Sequence, residues 1–160
     1  MPHDHLIPKY VIAQQALHRE ELGFLPACAI REYHERGQII TATENADLAS
    51  YALFFDGRNG KRPRLHPHTI KVHQICTHYD ARRIALATEL LRQLELRATR
   101  RNFTTLAAWV AQDLPANAFW NAAGFTIEAQ RDGGTKRKRK HNLWVKHLPR
   151  PLPTLIDSRR

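Results

Sequence analysis

The stretch IKVHQICTHYDARRIALATELL, residues 70–91, joins two periodicities across a short basic turn. Its first eight residues, IKVHQICT, read as a strand. From Arg82 to about Arg100, residues Ile84, Leu86, Ala87, Leu90, Leu91, Leu94 and Ala98 recur at helical spacing, with Arg and Glu on the other side. The question is whether the turn between them simply starts a packed helix or binds a phosphate. Free N–H groups at a helix start, with the positive end of the helix dipole, hold a phosphate without any particular side chain. Glycine is favoured there because no Cβ then stands between backbone and anion. Here Ala85 and Ala87 add one methyl group each, while Arg82 and Arg83 place positive charge where it opposes the dipole, which is easier to understand if an anion sits there. A solvated basic helix start is the plain alternative.

Outward from this unit the chain keeps alternating helix and strand signals. Toward the N-terminus, apolar residues between Lys9 and Arg36 recur at three- and four-residue spacing with a break near Gly23–Pro26, which predicts two helices. Gly37 closes the second, and QIITATE and ASYALFFD follow as an antiparallel hairpin turning at Asn45-Ala46-Asp47. GRNGKRPRLHPH is an exposed basic loop. Beyond the long helix, residues 103–110 read as a strand and PANAFWNAAG as a short helix, with Pro115 near its start and Gly124 past its end. FTIEAQRD and HNLWVKHL are two closing strands around GGTKRKRK, and the proline-containing segment 149–160 is an extended tail. The expected order is ααββ, βαβα, ββ, in one α/β (α+β) domain over residues 1–148 with a central mixed sheet flanked by helices.

Composition narrows the class. A length of 160 residues, 42% apolar, suffices for one packed core. With no long apolar run or hydrophobic leader at the start, the expectation is a cytoplasmic protein with no membrane segment. Cys28 and Cys76 read as reduced, buried small residues. The net charge of +10 attracts polyanions, whether nucleic acid, acidic protein or a phosphorylated cofactor. His66, His68 and His78 lack the partnering Cys or carboxylate pattern of a metal site, so none is expected.

The strand, basic turn, long helix, strand and short helix ending in Gly-Phe resemble the core of the GNAT N-acetyltransferase superfamily, over roughly Gln38 to Leu148. That family writes the turn as Q/R-x-x-G-x-G/A, which falls on Arg82, Arg83, Ile84, Ala85, Leu86 and Ala87. Its second signal, N-x-x-A-x-x-x-Y-x-x-x-G-F, is similar at Ala116, Gly124 and Phe125 but has Asp113 for Asn and Trp120 for Tyr. The resemblance implies a GNAT-like fold that binds acetyl-CoA through Ile75, Cys76 and Thr77 on the central strand, through residues 82–88 including Thr88, and through Asn117 and Trp120 on the short helix. Phe119, Trp120 and Phe125 at this spacing read more readily as core packing, and Asn117 equally as an exposed surface residue.

Chemistry in such a family is direct acyl transfer to an amine. A bulged or splayed central strand turns a backbone N–H toward the thioester carbonyl, which by alignment places that edge at Ile75–Thr77. The amine needs a base, and His73 stands where the superfamily often has Glu. The leaving thiolate is usually protonated by the Tyr that is Trp120 here, so solvent or another phenol, Tyr51 or Tyr79, must serve. The amine acceptor itself carries no legible motif.

The basic run Lys136-Arg137-Lys138-Arg139-Lys140, with Arg62 and Arg64 in the other loop, supports an alternative from another class. A GNAT-fold protein could hold a nucleic-acid backbone there and modify a DNA base, as phage Mom-type proteins do, or acylate a tRNA. An exposed edge strand would further allow a homodimer.

Overall fold

The computed structural model of the chain describes residues 4–57, 68–78, 85–133 and 139–149. Its strands are β1 (Ile39–Glu44), β2 (Asp47–Phe55), β3 (Thr69–Thr77), β4 (Thr105–Ala111), β5 (Thr126–Asp132) and β6 (Lys140–His147). They form one sheet in the order β1-β2-β3-β4-β6-β5. β3 and β4 run parallel, and the other neighbours are antiparallel. The expected mixed sheet flanked by helices is therefore what the chain forms.

Strand β2 explains the layering. Its side chains alternate between two cores: Tyr51, Leu53 and Phe55 face one side, Ala52 and Phe54 the other. On the first side lie α1 (Ile7–Leu17) and α3 (Ala27–Glu35), joined through the short α2 (Arg19–Leu22), with Val11, Ile30 and Tyr33 in contact with the strand's residues. On the second lies α4 (Leu86–Arg100), whose Leu90, Leu91, Leu94 and Ala98 are buried as the helical stripe requires. Fully buried side chains such as Phe54, Leu90 and Leu94 contribute about 1.5–3 kcal/mol each. Helix α5 (Ala116–Ala122) closes that layer with Trp120, stacked edge-on against Phe119 and Phe125.

Several expectations shift in detail. The break near Gly23 is occupied by α2, which ends on Gly23 at φ 75°, and Pro26 then caps α3. The strand expected over 103–110 begins at Thr105, because Asn102 takes a left-handed turn and the Phe103 N–H returns to Ala98 O. Cys28 is exposed rather than buried, since the helical stripe of α3 is set by Ile30 and Tyr33, while Cys76 is buried. The expected start of α4 at Arg82 lies outside the described residues, which resume at its cap Ala85. The basic segment 58–67, residues 134–138 of the last loop and the tail beyond residue 149 lie outside the described residues.

The β1–β2 hairpin turns at Asn45 and Ala46, with φ of 51° and 67°, between the paired Glu44 and Asp47. Positive φ at both central positions is the primed turn whose twist suits a tight hairpin, and it suits Asn far better than Ala. Ala46→Gly should therefore stabilise the protein by about 1 kcal/mol, measured by chemical denaturation; a loss of stability would contradict this turn geometry.

Candidate active site

The parallel pairing of β3 with β4 runs from Thr69–Thr105 to Lys71–Ala107 and stops. Beyond it the strands diverge, and a cleft of about 880 Å³ opens between residues 72–77 of β3 and 108–111 of β4. The cause lies in β3. Opposite β2, Leu53 pairs with Gln74 but Phe54 pairs with Val72, so His73 is an inserted residue, a β-bulge. Val72 packs toward α4, whereas His73 reaches Tyr33 on α3 and Gln74 also turns to that side, hydrogen-bonding Tyr51 and Gln15. Past the bulge the sense of alternation is reversed. The His78 N–H donates to Ala49 O at 2.8 Å, so alternation directs the main-chain groups of Cys76 and Gln74 toward β2 and those of Ile75 and Thr77 toward the cleft.

Two imidazoles line this cleft on one face of the sheet. On the β3 lip, His73 Nδ1 lies 3.0 Å from the Tyr33 hydroxyl. On the β6 lip, His141 is paired with Ala111, and its Nδ1 is 3.0 Å from the Arg139 carbonyl. Arg139 itself is held by Asp113 through Nε at 3.1 Å and Nη2 at 2.8 Å. This hydrogen-bonded guanidinium holds the Asp113 carboxyl below its ordinary range.

A third wall is built from the α2 end, where Leu22 and Gly23 border the cleft. A buried amide network fixes it to the bulged strand. The Gln15 side chain takes both main-chain groups of Leu25, at 2.7 and 2.9 Å, and Gln74 Nε2 donates to Gln15 Oε1 at 3.0 Å and reaches Leu22 O at 3.4 Å. Tyr51 donates to Gln74 Oε1 at 3.2 Å from behind. Burial, with Cys76 beside it, pushes the Tyr51 phenol well above the ordinary tyrosine range, and Tyr51 lies outside the cleft lining.

The remaining wall is apolar: Ala87 in the first turn of α4, and Leu114, Pro115, Ala116, Phe119 and Trp120 at α5. Ala85 adopts φ 54°, the left-handed conformation that glycine takes without strain. Leu86 packs against the core and Thr88 is exposed. Asn117 is placed differently from the expectation that it reach a coenzyme arm. Its Nδ2 donates to the carbonyls of Ala111 and Leu114, each at 2.8 Å, and its Oδ1 accepts from Trp144 Nε1 at 2.8 Å and Asn142 Nδ2 at 3.2 Å. It is the knot tying α5 to β4 and β6.

Thus the structure brings His73, Ile75, Cys76, Thr77, Ala87 and Trp120 together around one cleft. Tyr79, Arg82, Arg83, Ile84, Arg62, Arg64, Lys136, Arg137 and Lys138 lie outside the described residues, and of the basic run only Arg139, paired with Asp113, and exposed Lys140 are described. Sequence reasoning missed Tyr33, His141 and the Gln15–Gln74 pair. Their partners lie 40, 2 and 59 residues away, and even the short His141 link runs through a main-chain carbonyl that no motif marks.

A mixed sheet split by a bulge, with a helix starting beside the split, defines an acyltransferase scaffold. A family model described as the acetyltransferase (GNAT) family matches residues 4–125, and the chain belongs to that family. It is an N-acetyltransferase that draws its acetyl group from acetyl-CoA. Among similar solved structures is yncA from Salmonella typhimurium with its cofactor acetyl-CoA, at 18% identity and a TM-score of 0.73, covering 94% of this chain and 91% of that one. Ard1 from Thermoplasma volcanium is similar at 12% identity and a TM-score of 0.73, covering 89% and 93%. The ribosomal-protein-S18-alanine N-acetyltransferase from Escherichia coli is similar at 16% identity and a TM-score of 0.64, covering 87% and 88%. At these identities the likeness is one of fold. No curated protein is significantly similar in sequence. Among the described residues no helix is long and apolar enough to cross a membrane.

Because Ala85 holds a left-handed conformation at the start of α4, Ala85→Gly should raise stability by about 1 kcal/mol in chemical denaturation, and an unchanged or lowered stability would contradict that backbone.

Proposed function

We propose that the chain acetylates a primary amine that enters the cleft between the Leu22–Gly23 wall and the β6 lip and meets an acetyl-CoA arm lying in the split between β3 and β4. The splay of these two strands past Lys71 and Ala107 is the observation that carries this reading. The residues fit such a guest: the cleft is about 880 Å³, apolar at Ala87, Leu114, Phe119 and Trp120, and bordered by main-chain groups of β3. Acetyl-CoA supplies an activated thioester carbonyl. In this reading the Ile75 N–H donates to that carbonyl oxygen as negative charge develops on it, a stabilisation that a fixed backbone donor gives with no reorganisation. In this reading the pyrophosphate is held by residues 82–88, the segment that leads into α4.

His73 receives a proton from the incoming amine, its ring oriented by Tyr33. The thiolate has no phenol at position 120, because Trp120 is 4% exposed and its indole N–H is not a useful acid. Tyr51, buried in the opposite layer with its pKa raised, does not fit that task either, so in our reading the thiolate leaves to solvent or recovers a proton handed on by an imidazole. A polyanion-linked acceptor, a homodimer through the fully exposed edge β5 and a cytoplasmic location extend the same reading.

Calorimetric titration tests it. The wild-type protein should bind acetyl-CoA, and Ala87→Glu, which sets a carboxylate on the first turn of α4 facing the cleft, should weaken binding about tenfold or more. Absence of binding by the wild type would remove the proposal, and equal affinity of the variant would remove this placement of the coenzyme.

A further inference from the structure

We propose that His141 is a second catalytic base of this site, taking a proton from the acceptor amine on the β6 lip opposite His73; the inference rests on the acetyl-transfer reading above. The hydrogen bond that orients the ring carries the argument. His141 Nδ1 lies 3.0 Å from the Arg139 carbonyl oxygen, and a carbonyl only accepts. The neutral ring must therefore carry its proton on Nδ1, which leaves the lone pair on Nε2. Among the described residues Nε2 has no hydrogen-bond partner, and His141 borders the cleft. At His73 the Tyr33 hydroxyl either donates to or accepts from Nδ1, so that contact by itself does not select a tautomer.

The local backbone is built around that carbonyl. The Gly133 N–H also donates to Arg139 O, so two donors fix the oxygen under the ring. A Cβ at Gly133 would collide with the Arg139 carbonyl and come within 3.0 Å of His141 Cε1, so the close approach requires glycine. Alternation puts His141 on the same face as His73: Asn142 and Trp144 turn to the α5 side, where both bond Asn117, and His141 turns away from it. The charged groups around the ring are Arg139, already paired with Asp113, Arg131, which is its register partner on β5 and stacks over Trp109, and the paired positions Asp132 and Lys140. No carboxylate among the described residues is hydrogen-bonded to His141; the Asp113 carboxylate, which Arg139 holds, acts on the ring only through its charge.

Two bases suit the stoichiometry. An ammonium acceptor loses two protons on its way to the amide. His141 Nε2 removes the first and returns it to solvent. The free amine then adds to the carbonyl carbon, the C–N bond forms, and the second proton passes to His73. The carbonyl re-forms as the C–S bond breaks, and the thiolate leaves with the bonding pair, recovering a proton from His73 or water. The sum is ammonium plus thioester giving amide, thiol and one released proton.

The test compares wild type, His141→Gln and His141→Ala with and without added imidazole. Acetyl-CoA affinity should be the same in all, and failure of the wild type to bind would sink the acetyl-transfer reading and this inference with it. With L-alaninamide as acceptor, His141→Gln should lower kcat/KM by about 10²-fold at neutral pH. The deficit should close as pH rises past the pKa of the amine, and imidazole should partly rescue His141→Ala. A deficit constant with pH, or none, would overturn a proton-accepting role. Should alaninamide not be turned over, thioester hydrolysis of bound acetyl-CoA by water, followed by absorbance, replaces it, with the same loss expected and unchanged hydrolysis overturning the proposal. Nitrogen-15 spectra assigned with His141→Gln should show the Nδ1–H tautomer in the neutral protein, and an Nε2–H signal would overturn it independently.

Discussion

One extra residue in β3 governs the site. If β3 followed β4 in regular parallel register, the sheet would be closed and its two cores sealed from one another. The bulge at His73 changes the sense of alternation in mid-strand, so Val72 belongs to the α4 layer while His73 and Gln74 both turn toward α1 and α3. Pairing with β4 stops at Lys71, and the strands part around the cleft. A bulge adds local bending and twist to a strand, which is why a single insertion re-aims a side chain and ends a ladder at the same place.

The consequences spread from that strand to both lips. Gln74, turned by the bulge, holds Gln15, which in turn fixes the main chain at Leu25, so the wall at Leu22 and Gly23 is positioned by buried amides rather than by apolar packing alone. Such a network adds stability only if every member is satisfied, and it rigidifies the wall it holds. On the far lip, Asn117 performs the matching task by joining α5 to β4 and β6. The reactive groups thus sit on strands and on segments anchored to strands, which suits transfer chemistry that depends on the placement of two partners.

Substitutions relative to the family pattern take on physical meaning in this setting. Ala85 occupies a left-handed backbone conformation, so the position is one that favours glycine and is held by alanine under strain. Trp120 occupies the place of a phenol but packs between Phe119 and Phe125, serving the core and the cleft wall at once. In the proposed reaction the task of a phenol would pass to groups able to exchange protons with water, and two imidazoles line the cleft.

Local periodicity in the sequence was enough to mark most of the elements and their order, while the family reading came from the motif resemblance at residues 82–87 and 113–125. The period-two run 70–77, the apolar stripe of α4 and the punctuation of α5 by Pro115 and Gly124 are properties of neighbouring residues, and neighbours are what a sequence displays. His73 and Ile75–Thr77, which the resemblance ties to one strand, all line the cleft. Which residues share the cleft with them was decided only by the tertiary structure. Tyr33 meets His73 across two elements, Gln74 meets Gln15 across the sheet face, and His141 is oriented by a carbonyl whose identity no side chain reveals. The same reasoning applies to Asn117, whose residue type suits a ligand contact but whose donors and acceptor are spent within the protein. Hydrogen bonds are directional and short in range, so their partners follow from where strands part and helices dock, and that is settled by packing over the whole chain.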